Sequence, residues 1–154
     1  MPYYLITPFT QGDVQQRDIH GGIYLHDFEC SAQRHTYSLD KPALNSLKPK
    51  ADFQTLRFSK PLDKTSSVLF QQCTQGEMVN SIKIATLHSQ ESIRAIHEMT
   101  FHNVLFCEYS VSGKHGHLPC ETICAWFDTL ELCIRPMDEN LKQQQAHQAK
   151  YHRS

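Results

Sequence analysis

The chain has 154 residues, enough for one domain with a hydrophobic core and too few for two comfortable ones. Hydrophobic residues make up 40% and charged residues 20%, which excludes a disordered chain. A formal net charge of −1 leaves no broad field to attract DNA, RNA or an anionic membrane surface, so no nucleic-acid partner is expected.

No stretch approaches the roughly 20 apolar residues needed to span a bilayer, so no membrane insertion is expected. The N-terminal run from Met1 to Phe9 has neither a basic region nor a continuous apolar one. It does not read as a signal peptide, which places the chain in the cytoplasm unless a dedicated machine exports it. The six cysteines, Cys30, Cys73, Cys107, Cys120, Cys124 and Cys133, are scattered through periodic segments and read as reduced, mostly buried small hydrophobes.

In chain order, Tyr3 to Ile6 is a short aromatic strand ended by Pro8. His20-Gly21-Gly22 makes a turn into a second strand, Ile23 to Phe28, in which Ile23 and Leu25 share a face. Residues 31–50 lose all periodicity. A loop of that length in a compact domain usually serves binding or assembly, and its Leu39, Leu44 and Leu47 have little local partner. Leu56 and Phe58 then alternate with Arg57 and Ser59, as Ile82 and Ile84 do with Ser81 and Lys83, the pattern of half-buried strands.

Between those strands lies the one convincing helix. Asp63-Lys64-Thr65-Ser66 supplies capping hydroxyls and an acidic approach, Val68, Leu69 and Cys73 an apolar side, and Gly76 a left-handed stop. From Met99 to Val111, one parity carries Met99, Phe101, Leu105, Cys107, Tyr109 and Val111, interrupted by Asn103; the other also holds Val104 and Phe106. So long a run is expected to contain a bend or bulge. In the last strand Ile123, Ala125 and Phe127 give way to Leu130, Leu132 and Ile134 near Asp128, a change that one inserted residue explains.

These elements make a mainly β fold: a two-sheet β-barrel or sandwich with one short α-helix packed at its side. Residues 1–137 form that domain. Residues 138–154, rich in Gln, Lys and His, have almost nothing apolar to bury and read as a polar, flexible tail.

Candidate chemistry is sparse. His115, His117, Cys120 and Cys124 are zinc-type ligands, but Cys120 and Cys124 lie four apart on a strand, roughly 13 Å if extended. They do not reach one ion unless the chain folds back, so no metal is assigned. No nucleophile elbow, phosphate-cradling glycine loop or H-E-x-x-H helix occurs, so no catalytic residue and no cofactor is assigned. Asp27 and Glu29 share one face of the second strand, where carboxylates ordinarily face water. Trp126 and Phe127 read as core.

The run Leu56-Arg57-Phe58-Ser59-Lys60-Pro61-Leu62-Asp63-Lys64-Thr65-Ser66, continuing through the helix to Gly76, resembles the central segment of the Hcp family of type VI secretion tube proteins. His20 to Phe28 is similar to that family's early His-containing strand, and Leu118 to Leu130 to its late E-x-I-x-L-x-F strand. The resemblance covers about residues 3–135. It implies a barrel that assembles as a six-membered ring, rings that stack into an exported tube, and a lumen able to hold small effector proteins. The partners it implies are further copies of the chain, a VgrG-type spike, and the contractile sheath and baseplate. It implies that Asp27 and Glu29 point into the ring opening, and that the long loop holding Leu39, Leu44 and Leu47 joins neighbours or stacked rings. Lys41-Pro42 and Lys48-Pro49 stand there in place of the family's glycine-rich stretch. Two other readings use the same residues: a small β-barrel binding module, and a metal- or thiol-dependent enzyme built on the His115, His117, Cys120 and Cys124 region.

Overall fold

A computed structural model describes residues 1–14, 20–34, 51–89, 93–136 and 145–153. Its strands are β1 (Tyr3–Ile6), β2 (Ile23–Leu25), β3 (Asp27–Glu29), β4 (Ala32–Arg34), β5 (Ala51–Phe53), β6 (Leu56–Pro61), β7 (Val79–Ser89), β8 (Ile93–Ser112), β9 (Cys120–Ile134) and β10 (His147–His152). One helix, α1 (Ser66–Gln75), separates β6 from β7. The mainly β fold, with a single flanking helix among the described residues, is as the sequence implies.

One sheet runs in the order β2-β1-β7-β8-β9-β6-β3, with β10 added to β9, and β4 and β5 form a separate two-stranded ribbon. The two ends of the sheet, β2 and β3, are consecutive in the chain and joined through His26 alone. The His26 amide donates to the Ser59 carbonyl at 2.8 Å, so the bend stays attached to β6. One short segment therefore pairs with β1 through its first half and with β6 through its second. This closes the sheet into a barrel, in which few backbone edges are left open.

Period-two alternation fills the interior. Leu5, Ile23, Leu25, Leu56, Phe58, Ile84, Phe101, Ile123, Ala125 and Phe127 are buried in one cluster, which Leu69 of the helix joins. Phe101 and Phe127 meet edge to face with centroids 5.0 Å apart, a geometry favoured by the ring quadrupoles.

The helix stops where expected: Gly76 adopts φ 70° and its amide donates to the Gln72 carbonyl at 3.2 Å. Its start differs from the expectation. The Thr65 hydroxyl makes no capping bond; instead the Asp63 carboxylate accepts from the Thr65 amide at 2.8 Å and from its hydroxyl. The acidic side chain thus closes a tight turn just ahead of the helix, and its backbone carbonyl accepts from the Ser66 amide at 3.2 Å.

The long hairpin corrects the parity reading. Inside the barrel, Met99 and Phe101 are followed by Val104 and Phe106, not by Leu105 and Cys107, and Val111 is exposed. The switch falls at Asn103, a non-glycine residue at φ 53°, a conformation Asn tolerates better than most side chains. Opposite it, β9 switches at Asp128, and Asn103 Nδ2 donates to Asp128 Oδ2 at 3.2 Å. Phe101 pairs with Leu130 and Val104 with Phe127, so the register is the same on both sides. The two strands turn together, with no residue inserted in β9. The inserted residue is Cys107 on β8, between Phe106, opposite Ala125, and Glu108, opposite Cys124.

The C-terminal segment also departs from the sequence reading. Residues 147–152 form β10, paired antiparallel with β9 from His147↔Ile134 to His152↔Thr129. Strand pairing satisfies backbone groups whatever the side chains are, so a polar sequence here did not preclude order.

Candidate lumenal surface and a buried charge network

Pairing registers decide which side chains share a face. Asp27 stands opposite Ser59, and Glu29 opposite Arg57. On the other side of β6, Ser59 pairs with Thr122 and Arg57 with Cys124, which in turn pair with Ser110 and Glu108 of β8. Two rows therefore cross the outside of the barrel over β3, β6, β9 and β8. One is Asp27, Ser59, Thr122 and Ser110; the other is Glu29, Arg57, Cys124 and Glu108. The two carboxylates singled out in the sequence are thus brought together on one exposed face, with hydroxyls and one guanidinium beside them.

A hollow of about 390 Å³ opens on this face, lined by Arg57, Glu108, Tyr109, Ser110, Thr122 and Cys124. The Cys124 thiol has its pKa pushed up to about 11, by burial first, then by Glu108 and Cys107, with Arg57 pulling the other way. It is therefore a thiol at neutral pH and a poor nucleophile.

A second constellation escaped the sequence reading. Lys60 of β6 and Glu121 of β9 stand opposite each other, and both are completely buried. Lys60 Nζ donates to Glu121 Oε1 at 2.9 Å, to Asp63 Oδ1 at 3.0 Å and to the Pro61 carbonyl at 2.9 Å. The Ser66 hydroxyl, at the first residue of α1, donates to the same Glu121 oxygen, and the Asp63 amide donates to Ser66 Oγ at 3.0 Å. Burial raises the Asp63 pKa, but bonds from Thr65 and Lys60 outweigh it and hold the carboxyl below its ordinary value. Tyr109 is pushed up to about 12, by burial and then by the Glu121 carboxylate. This network ties two strands to the start of the helix. A sequence signal existed: Lys60 has the parity of Leu56 and Phe58, and Glu121 that of Ile123, Ala125 and Phe127. Two opposite charges at inward positions call for each other, since a buried charge requires a partner.

The metal and thiol candidates do not converge. His115 and His117 are exposed between β8 and β9, Cys120 begins β9 opposite Pro61 and Ser112, and Cys124 faces the hollow. Among the described residues no three His, Cys, Asp or Glu side chains are grouped closely enough to hold an ion. All six cysteines are free thiols. Trp126, read as core, is only half-buried, and an arginine distant in sequence, Arg153, lies 5.3 Å over its ring. Leu39, Leu44 and Leu47 lie outside the described residues. No helix among the described residues is long and apolar enough to cross a membrane.

The family model described as "Type VI secretion system effector, Hcp" matches residues 3–132. The chain belongs to the Hcp family. Its fold agrees. A solved structure of a type six secretion system protein superposes with a TM-score of 0.89 at 21% identity, covering 98% of this chain and 94% of that one. Hcp1 from Salmonella typhimurium gives 0.77 at 16% identity, covering 98% and 93%. A type VI secretion system effector from Yersinia pestis gives 0.75 at 14% identity, covering 97% and 98%. No curated protein matches the chain in sequence. At these identities the structures speak for the Hcp fold, and the family model for membership.

Proposed function

We propose that this Hcp-family chain is a non-catalytic structural subunit of the type VI secretion tube. It assembles in rings of six that stack, leave the cell with the tube, and carry small effectors in the lumen. The observation that carries this reading is the family match over residues 3–132. A closed barrel suits the role, because a subunit with few open edges docks through side-chain surfaces and avoids uncontrolled strand pairing. One such surface is α1, which has no charged residue in its sequence and leaves Phe70 half exposed.

In this reading the face bearing Asp27 and Glu29 lines the ring opening, and Leu39, Leu44 and Leu47 join neighbouring subunits or stacked rings. The VgrG-type spike, sheath and baseplate are the other partners, and the subunit is cytoplasmic before export. A non-catalytic role accords with thiols held protonated: burial pushes Cys30 and Cys124 up to about 11 and also raises Cys73 and Cys107.

The test combines electron microscopy with co-purification of an effector exported by the same system. Rings are expected from the native chain and from an Asp27→Asn, Glu29→Gln variant, with effector retention altered only in the variant. Unchanged retention removes the lumenal role of the two carboxylates. Absence of rings from the native chain removes the tube.

A further inference from the structure

The ribbon of β4 and β5 brackets residues 35–50, and among the described residues no strand pairing joins it to the barrel. Its own bonds are internal: Ala32 pairs with Phe53 and Arg34 with Ala51, and the Gln54 amide donates to the Ser31 carbonyl at 3.0 Å. Something else must seat it.

The residue after β10 does so. The Arg153 amide donates to the Asp128 carbonyl at 2.8 Å, which aims its side chain across the end of β9. Its Nε donates to the Phe127 carbonyl at 3.0 Å. Its Nη1 donates to the Phe53 carbonyl and to Asp52 Oδ1, both at 3.0 Å. The guanidinium lies 5.3 Å from the ring centroids of both Trp126 and Phe127. Beside it, Tyr151 of β10 packs on Phe53 at 4.6 Å, and Phe53 meets Phe127 at 5.8 Å. One side chain thus bonds β5 and β9 and stacks on two rings at once. Guanidinium is suited to this, being planar, permanently charged and rich in donors; an ammonium group has no comparable fork or stacking face.

We propose that the C-terminal strand is a clasp that seats the β4–β5 ribbon on the barrel, with Arg153 as its fastening residue. The clasp fixes where on the barrel β4 ends and β5 begins. It stands independently of the tube assignment, since every contact it uses lies within one chain.

Hydrogen–deuterium exchange on the full chain tests it, with the barrel strands β7 and β8 as internal reference. In Arg153→Ala, the Gln54 amide and those of β5 are expected to exchange about tenfold faster, as for the loss of bonds to a charged group, while β7 and β8 keep their protection. Arg153→Lys is expected to behave like Arg153→Ala. Asp52→Asn, which leaves the Phe53, Phe127 and stacking contacts in place, is expected to stay near the native rates. Unchanged ribbon exchange in Arg153→Ala overturns the clasp. So does full protection in Arg153→Lys, which would make charge alone sufficient, and so does an equal loss in β7 and β8, which would make the role global. If Arg153→Ala does not fold, the lysine variant decides.

Discussion

Replacing Glu121 with alanine is expected to destabilise the protein by about 3–5 kcal/mol, the usual result of removing one partner from a buried ion pair. For a chain of this size that lowers the melting temperature by on the order of 10 °C. The cause lies with what remains. Lys60 is completely buried and would keep Asp63, the Pro61 carbonyl and the Ser66 hydroxyl but no carboxylate from β9, while the Ser66 hydroxyl would lose its acceptor at the head of the helix. A double variant, Lys60→Met with Glu121→Leu, fills similar volume with no charge to desolvate. It is expected to lose much less than the sum of the two single changes, because the coupling between them is removed together with the penalty. Thermal and urea denaturation followed by circular dichroism measure both. A double variant as unstable as the sum would mean that the two groups act independently.

Phe127→Ala is the second large effect, at about 3–5 kcal/mol, typical of a buried aromatic truncated in a core that collapses only partly. Phe127 has no exposed surface and serves three contacts: Phe101 at 5.0 Å inside the barrel, Phe53 of the ribbon at 5.8 Å, and the Arg153 guanidinium at 5.3 Å. The truncation opens a cavity and also removes part of the surface on which the ribbon and Arg153 rest. In urea the midpoint should fall with an unchanged slope, since the surface exposed on unfolding is nearly the same. A loss below about 1 kcal/mol would show that the ring is not part of a close-packed interior.

Much of the fold was legible because alternation and turn chemistry act locally. Ile23 and Leu25, Leu56 and Phe58, and Ile82 and Ile84 announced their strands, and Gly76 announced the end of the helix. What stayed illegible depends on partners far away in the chain. The direction of Phe106 was ambiguous until Asn103 and Asp128 were seen to turn together, because either strand alone is consistent with an insertion. Lys60 and Glu121 carried inward parity, but each reads as an ordinary strand charge until the other is placed opposite it. Arg153 lies 26 residues from Phe127 and 100 from Phe53, and a polar C-terminal sequence gives no local sign that its backbone pairs with β9. Of the candidate site, the shared face of Asp27 and Glu29 followed from period two alone. Arg57, Cys124 and Glu108 joined them only through register across three strands.

The central claim is that the outer surface of this barrel docks onto copies of itself in a closed circle. Native mass spectrometry of the untagged chain at micromolar concentration addresses it most directly. The account predicts one dominant species of six chains, each of 17.8 kDa. A lone 17.8 kDa protomer at every concentration tried, with the barrel intact by circular dichroism, would contradict it.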